Sequence, residues 1–458
     1  MLFLREHNKK RLVRQQGHKK MKTIFENFIN GLKKQPPGRL ITLGFATVII
    51  LGALILLLPV SVRDGVTVRP IDALFTSTSA VCVTGLIAID TADHFTPFGQ
   101  GVVAALIQIG GLGVTSVGVG FMLAIKKRVS IKTRVMVSEA LNVNSYKGIV
   151  KLIKAVLLTT LCFEGAGAVL SFIVFVQDYP PVHALGISIF HSIAAFNNSG
   201  FDILGGLQNL IPYRDNVLLN MITCILIIFG GLGFLVIRDI ISNRRFKKLM
   251  LHSKIVITTT AVLLVVGTLL LKATEDVTWL GAFFHSVSAR TAGFSTYPIG
   301  SFTNAGLFVL CVLMFIGASP GSTGGGIKTT TFFVLIQEAR AMFNKKQVGA
   351  FRRAISRGTV ASASIITLLS MSVVCVGSFL LCVMDPQYSF MQVLFEVVSA
   401  FGTVGLSTGI TPDLCDGSKL VIILIMFIGR LGAVTLLSMW IDHPEPRAHF
   451  TEETVSIG

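Results

Sequence analysis

Charge is scarce in these 458 residues: only 14% are Asp, Glu, Lys or Arg, and acids (23) are far fewer than bases (40). With 52% hydrophobic residues and a mean hydropathy of +0.74, a single water-soluble domain is excluded, because no one core hides that much apolar surface. Cysteine is also sparse. The seven cysteines (82, 162, 224, 311, 375, 382 and 415) are odd in number, unpaired in spacing and mostly inside apolar runs, which argues against a disulfide framework or a thiolate metal site. No nucleophile with a neighbouring base and no metal-ligand spacing occurs, so an enzyme is not expected. Neither G-x-G-x-x-G after a strand nor a P-loop is present. The nearest approach, "GSTGGGIKTT" at Gly321 to Thr330, lacks the required spacing because Lys328 follows an Ile.

What is abundant is apolar sequence long enough to cross a bilayer. Uncharged runs cover Leu40 to Val62, Phe95 to Ile125, Val217 to Ile237, Ile255 to Leu271, Phe302 to Ile327 and Gly358 to Met384. Two more carry one charge each, Ala155 to Gln177 with Glu164 and Leu420 to Ile441 with Arg430. Eight spans are therefore expected. Lys and Arg number 11 in residues 1–39, 8 in 126–154, 6 in 238–254 and 6 in 339–357, whereas the alternate connections hold only Arg63, Arg69, Arg214, Lys272 and Lys419. That asymmetry predicts cytoplasmic N and C termini in a multi-pass cell-membrane protein. It also explains the net charge of +17 without nucleic acid as a partner. The basic head precedes the first run with no small-residue cleavage pattern behind it, so it is not read as a signal peptide.

One phrase recurs: "SAVCVTGLIAID", "AAFNNSGFDIL", "SARTAGFSTYP" and "SAFGTVGLSTGI" align on Gly85, Gly200, Gly293 and Gly405. Ten residues upstream stand Phe75, Phe190, Phe283 and Phe395, and five upstream Ala80, Ala195, Ser288 and Ala400. Counting on 25, 30, 24 and 24 residues reaches Gly110, Gly230, Gly317 and Gly429. Each unit is expected to hold an outer helix, a short segment that dips in from outside and returns, and an inner helix. Irregular backbone at membrane depth is tolerable only where it lines a cavity. Four such turns around a pseudo-fourfold axis present a ring of carbonyl oxygens able to replace the hydration shell of a potassium-sized cation. Glycine at the turning point permits left-handed backbone and close approach. A single glycine of this kind reads equally as a helix contact; four in register favour the pore. The units share one orientation, which favours a channel-like pore over an alternating-access carrier built from inverted halves.

The phrases "CVTGL", "NNSGF", "RTAGF" and "TVGLS" resemble the degenerate filter signatures of the Trk/Ktr/HKT superfamily of potassium transport proteins, closest to its membrane-spanning Ktr (KtrB-like) subunit, over residues 36–441. The resemblance implies an all-α polytopic membrane protein of eight helices, four helix–re-entrant loop–helix repeats, moving potassium through a gated pore, with sodium dependence in many relatives. It further implies a homodimer and a cytosolic nucleotide-binding regulatory ring (KtrA-like). Potassium would be the only ion, held in the filter, with no covalently bound cofactor. The filter set is Cys82, Val83, Thr84 and Gly85; Asn197, Asn198, Ser199 and Gly200; Thr291, Ala292 and Gly293; and Thr403, Val404 and Gly405. Gly402 in the fourth loop is the one additional glycine.

The segment "GASPGSTGGGIK" interrupts the fifth uncharged run with Gly317, Ala318, Ser319, Pro320, Gly321, Ser322, Thr323, Gly324, Gly325, Gly326 and Lys328. Pro320 removes a helical hydrogen bond and the glycines lower helix propensity, so the helix should break facing the pore. The resemblance implies a gate here; a kinked helix without gating is the other reading. Lys328 is expected in the third inner helix. Arg430, at mid-span, costs at least about 2.5 kcal/mol to insert. It reads as an electrostatic barrier on the carbonyls of Gly321 to Gly326, or as one half of a salt bridge with Glu164; the resemblance marks it as the pore arginine. Arg290 is expected to clamp the third loop through Asp202 or Glu396, and His191 and His285 to pack or cap. Asp90, Asp93, Asp202 and Asp413 either concentrate cations at the outer mouth or are solvated loop charge. The units are drawn as 37–130, 131–250, 251–350 and 351–443, between a basic segment 1–36 and a tail 444–458.

Overall fold

The computed structural model describes residues 35, 37–125, 129–140 and 148–432. Nearly all of the basic segment 1–36, all of the tail 444–458 and the end of the eighth expected span lie outside the described residues.

Four times the chain runs through an outer, a short and an inner helix: Pro37–Leu56, Pro70–Cys82 and Pro97–Leu112; Ile149–Phe175, Pro181–Phe196 and Val217–Leu232; Leu251–Thr274, Trp279–Ser288 and Asn304–Phe315; Arg357–Met384, Phe390–Gly402 and Asp416–Leu431. Local sequence explains the starts. Pro70, Pro97 and Pro181 open helices where their missing N–H is not needed. Thr96, Asn216, Thr303 and Cys415 accept from the backbone N–H of the third residue of all four inner helices, one of the donors that has no partner within the helix. The outer helices expose Leu158, Leu161, Val265, Leu368 and Phe379 on one side, an apolar face suited to lipid. A hairpin pairs Gly349–Ala350 with Arg353–Ala354 outside the helices.

Among the described residues, four helices are long and apolar enough to cross a membrane, or six if each bent pair is one span. The bent pairs correct an expectation. The runs Phe95 to Ile125 and Val217 to Ile237 are not single helices but break after Leu112 and Leu232, turning by 99° and 96°. Gly113 (φ 83°, ψ 132°) and Gly233 (φ 88°, ψ 143°) take a conformation that a Cβ forbids, and the fourth inner helix ends on Gly432 in the same way (φ 86°, ψ 134°). The last glycine of each "GGLG" is thus a corner.

The units pack by one rule that the sequence did not disclose. A Cβ on Gly52, Gly167, Gly267 or Gly377 of the outer helices would run into Ser77, Ser192, Ser286 or Val397 of the short helix and into Leu106, Leu226, Leu313 or Ile425 of the inner helix. The three helices therefore cross at closest approach over a bare backbone. Three of the serines also donate to the outer helix they face, Ser77 to the Ile49 carbonyl (2.7 Å), Ser192 to that of Glu164 (2.6 Å) and Ser286 to that of Leu264 (2.9 Å).

The repeat register needs one correction. Phe75, Phe190 and Phe395 are buried, but in the third unit the buried ring is Phe284, and Phe283 is only partly covered. Likewise the fully buried Ala289, rather than Ser288, matches Ala80, Ala195 and Ala400. The third unit is one residue shorter between its buried Phe and its glycine, and the neighbouring Phe pair hides the deletion.

The first and last units meet without a covalent link. There the buried Lys419 ammonium donates to Asp72 at 3.0 Å, and Arg69 pairs with Asp72 at 2.7 Å and with Asp416 at 3.2 Å.

Candidate functional site

The short helices of the four units all run into a turn with left-handed residues at two places. Val83, Asn198, Thr291 and Thr403 have φ of 57°, 59°, 80° and 49°, and two residues later Gly85, Gly200, Gly293 and Gly405 have φ of 89°, 66°, 79° and 94°. The turns form a closed ring. A Cβ added to Gly85 would strike the Ser199 carbonyl, one on Gly200 that of Ala292 (2.7 Å), one on Gly293 that of Val404, and one on Gly405 that of Thr84. Each glycine abuts the next unit, and the fourth returns to the first.

Buried carbonyls ordinarily find a donor. Among the described residues, none of the carbonyls of Thr84, Ser199, Ala292 and Val404, nor of Gly85, Gly293 and Gly405, accepts a hydrogen bond; that of Gly200 accepts one from Asn209 (3.0 Å). The side-chain oxygens of Thr84, Asn198, Ser199 and Thr403 are also buried and unpartnered. The turns are held from behind. Ser79 accepts from the Gly85 N–H (3.0 Å) and donates to the Leu86 carbonyl (2.8 Å), Ser399 accepts from the Gly405 N–H (3.1 Å), and Ser288 donates to the Phe294 carbonyl. Those serines were not singled out; their signal is position, six residues before the glycine in units one and four and five before it in unit three. Cys82 and Asn197 belong to this backing. Cys82 is buried at the helix end, and the Asn197 amide donates to Gln108 (2.8 Å) and Glu164 (3.0 Å) on neighbouring helices. Outside the ring lies a cavity of about 350 Å³ lined by Gly85, Gly293, Gly405, Asp202 and Asn209 among others. No group of three His, Cys, Asp or Glu side chains suited to a metal is found among the described residues.

On the other side of the ring lies the segment Gly317 to Lys328. It is not a kinked helix: the third inner helix stops at Phe315, and the chain resumes helix only at Thr329. A Cβ on Gly324 would come within 2.8 Å of the Thr291 side chain, and one on Gly325 within 2.8 Å of that of Thr403. Only glycines fit beneath these two turns. Unit two holds the segment through backbone. The amides of Ser319 and Thr323 donate to the carbonyls of Gly231 (3.1 Å) and Gly230 (3.4 Å), and the Gly321 carbonyl accepts from Phe234 (3.2 Å). Lys328 is not within the inner helix but precedes it, its ammonium folding back onto the Gly324 carbonyl at 2.7 Å. Gly317 likewise departs from its expected role. Gly110, Gly230 and Gly429 seat against the carbonyls of Val81, Phe196 and Phe401 at the ends of the short helices, whereas Gly317 seats against Gly325 within its own segment.

The Arg430 guanidinium donates to the Thr323 carbonyl of that segment and to the carbonyls of Gly110 and Gly111 of the first inner helix, the last at 3.3 Å. The salt bridge with Glu164 is absent, since Glu164 is engaged by Gln108 (3.3 Å) and Asn197. Arg290 pairs with neither Asp202 nor Glu396 and instead donates to Thr260 (3.3 Å), while Glu396 accepts from Ser407 (2.6 Å) and Thr411 (2.8 Å) behind the fourth turn. The carboxylates are already satisfied by nearer donors, and the Arg290 Nε is left buried without a partner among the described residues. His191 contacts Thr223 (2.9 Å) and His285 the Gly281 carbonyl (2.8 Å), both packing contacts. Asp90 and Asp93 are loop anchors, accepting from the amides of Leu207 (2.7 Å) and Gly206 (3.1 Å).

The family model described as TrkH, cation transport protein, matches residues 47–275 and 254–449. The chain is 39% identical over 444 residues to the potassium/sodium uptake protein NtpJ of Enterococcus hirae, covering 93% of this chain and 98% of that one. It is 37% identical over 439 residues to the Ktr system potassium uptake protein B of Bacillus subtilis, covering 92% and 97%. The crystal structure of the potassium transporter TrkH from Vibrio parahaemolyticus aligns with a TM-score of 0.71 over 89% of this chain and 86% of that one, at 20% identity. At that identity the likeness speaks for the fold.

Proposed function

The chain belongs to the TrkH and Ktr family of membrane cation transporters, and from that premise we propose that it takes up potassium through a gated, channel-like pore whose filter is the ring of Gly85, Gly200, Gly293 and Gly405. The observation that carries this reading is the closed ring of backbone in which every carbonyl of the two layers except that of Gly200 lacks a donor among the described residues. Peptide oxygens left bare in a buried place are costly unless something else meets them, and a dehydrating cation does. Thr84, Ser199, Ala292 and Val404 supply a second layer of oxygens, and the side chains of Thr291 and Thr403 face the segment below, while Asn198 lies against Gly230 and Gly231 of the second inner helix. No resident cofactor is required; potassium is cargo.

Flux is passive and follows the electrochemical gradient, to which membrane voltage contributes about 2.3 kcal/mol per charge per 100 mV. The segment Gly317 to Gly326 is the gate, and Arg430 fastens it while raising an electrostatic barrier on the path. Each unit contributes an outer and an inner span, eight in all, with both termini cytoplasmic. Two such chains form a homodimer in lipid, and a cytosolic nucleotide-binding partner opens the gate; the naming of relatives as one protein of a Ktr system supports a partner subunit. Sodium dependence belongs to the same reading, and the NtpJ relative is named for potassium and sodium uptake.

Expression in cells lacking potassium uptake tests the core of this. Growth at low potassium and uptake that saturates with potassium are expected; a chain present in the membrane that moves no potassium would overturn it.

A further inference from the structure

The second unit is the odd one. Its ring glycine lies 30 residues from the inner-helix glycine, against 24 or 25 elsewhere, and the surplus forms a loop between Gly200 and the helix that starts at Val217. Three features fix this loop over the outer cavity. Its amides at Gly206 and Leu207 are held by Asp93 and Asp90 of the first unit. Gly205, Gly206, Leu207 and Asn209 all take left-handed backbone. The Leu210 amide donates to the Ser295 carbonyl of the third unit (3.1 Å), and the Asn209 side-chain oxygen accepts from the amides of Ser295 (3.0 Å) and Leu210 (2.9 Å).

With its oxygen so occupied, the Asn209 amide nitrogen can point only one way. It donates to the Gly200 carbonyl at 3.0 Å and to Asp202 at 3.2 Å. Of the four ring glycines, only Gly200 has its carbonyl capped. A capped oxygen has given one lone pair and part of its field to a proton, so it coordinates a cation less strongly than the three bare ones.

We propose that Asn209 is a specificity-determining residue, which withdraws the Gly200 oxygen and leaves the outermost cation position with three strong protein ligands instead of four. This rests on the filter reading above. A cation there keeps more of its water, and discrimination between potassium and sodium, which depends on the number and field of the carbonyls, is correspondingly weaker.

The test measures potassium and sodium uptake by the full-length protein and by Asn209→Ser and Asn209→Ala in potassium-uptake-deficient cells, at matched membrane abundance. Neither adds charge beside Asp202, and the contacts of Asp93 and Asp90 with the Gly206 and Leu207 amides and of the Leu210 amide with the Ser295 carbonyl still hold the loop. Both variants should raise the potassium-to-sodium uptake ratio by about twofold or more, the low end of what one hydrogen bond contributes, with a lower half-saturating potassium concentration. An unchanged ratio in both variants overturns the inference while wild-type uptake leaves the filter reading intact. Loss of both variants from the membrane also overturns it, since Asn209 would then be a strut between loops. Absence of potassium uptake by the wild type would instead sink the filter reading itself.

Discussion

The ring of glycines and the layer directly beneath it are built by the same four units, yet one is fourfold and the other is not. In the ring each unit does the same thing: a left-handed residue, a second residue, a left-handed glycine and a contact with the next unit. Beneath it each does something different. The first offers the carbonyls of Gly110 and Gly111, the second those of Gly230 and Gly231, the third unwinds, and the fourth extends Arg430 across to the first. A spherical ion rewards equal ligands on every side. In the proposed reading a gate needs only one element that moves against fixed neighbours, and three units serve as its frame. The backbone is fourfold where a cation is proposed to sit and departs from fourfold beneath it.

The ring is the place where the smallest change should do the most. Gly405→Ala puts a methyl onto the Thr84 carbonyl and forces an alanine to φ 94°, so potassium uptake should be lost at normal membrane abundance. Gly186→Ala in the second short helix, where nothing lies within 4 Å of the new methyl, should keep wild-type uptake. Equal uptake by both variants would remove the distinction between the ring and ordinary glycines.

The layer beneath should respond in the opposite direction. Deleting Ser322 to Gly325 takes away the Thr323 carbonyl that Arg430 holds and the glycines under Thr291 and Thr403. Flux measured without any cytosolic partner should rise several-fold, and no rise would count against the gate. A smaller increase is expected from Arg430→Ala, which frees the segment but leaves it in the pore. Arg430→Lys should lie between it and wild type, because an ammonium keeps the charge but not the fork that spans Thr323 and Gly110. If Arg430→Ala only lowers membrane abundance, the arginine holds the fold and not the gate.

Much of this arrangement was legible in the sequence, for reasons that also explain the failures. The ring glycines stand out because no other residue takes their conformation next to a neighbouring backbone, so their chemistry is written in residue identity. Gly52, Gly167, Gly267 and Gly377 obey an equally strict contact, but they lie 33, 33, 26 and 28 residues before the ring glycine. Loops of unequal length erase that register, and a glycine in an apolar helix has no distinguishing neighbours. The corners at Gly113 and Gly233 were hidden because apolar residues continue on both sides, and hydropathy does not report direction. Arg430 reaches the Thr323 carbonyl, within the run of carbonyls expected for it, whereas its alternative partner Glu164 and both acids assigned to Arg290 failed because charge alone was used to choose them. In a dry interior the donors turned to whichever hydroxyl or carbonyl lay nearest.

The register of the third unit yields the finest test of the comparison. If the fourfold plan governs the frame behind the ring as well as the ring itself, the third unit should depend on Phe284, which is fully buried, and not on Phe283. Truncating a fully buried Phe to Ala costs about 3–5 kcal/mol, through lost burial and the cavity left behind. Phe284→Ala should therefore lower the thermal unfolding midpoint of the detergent-solubilised protein clearly, as should Phe395→Ala in the fourth unit, whose ring is equally buried. Phe283→Ala should shift it far less, since its ring is already partly uncovered. Because Phe284 lies on the helix that carries Ser288 to the third turn, its loss should also reduce potassium-to-sodium discrimination in whatever protein still folds. The reverse order, Phe283 costly and Phe284 neutral, would mean that the deletion does not exist and that the spacing of ten residues holds in all four units.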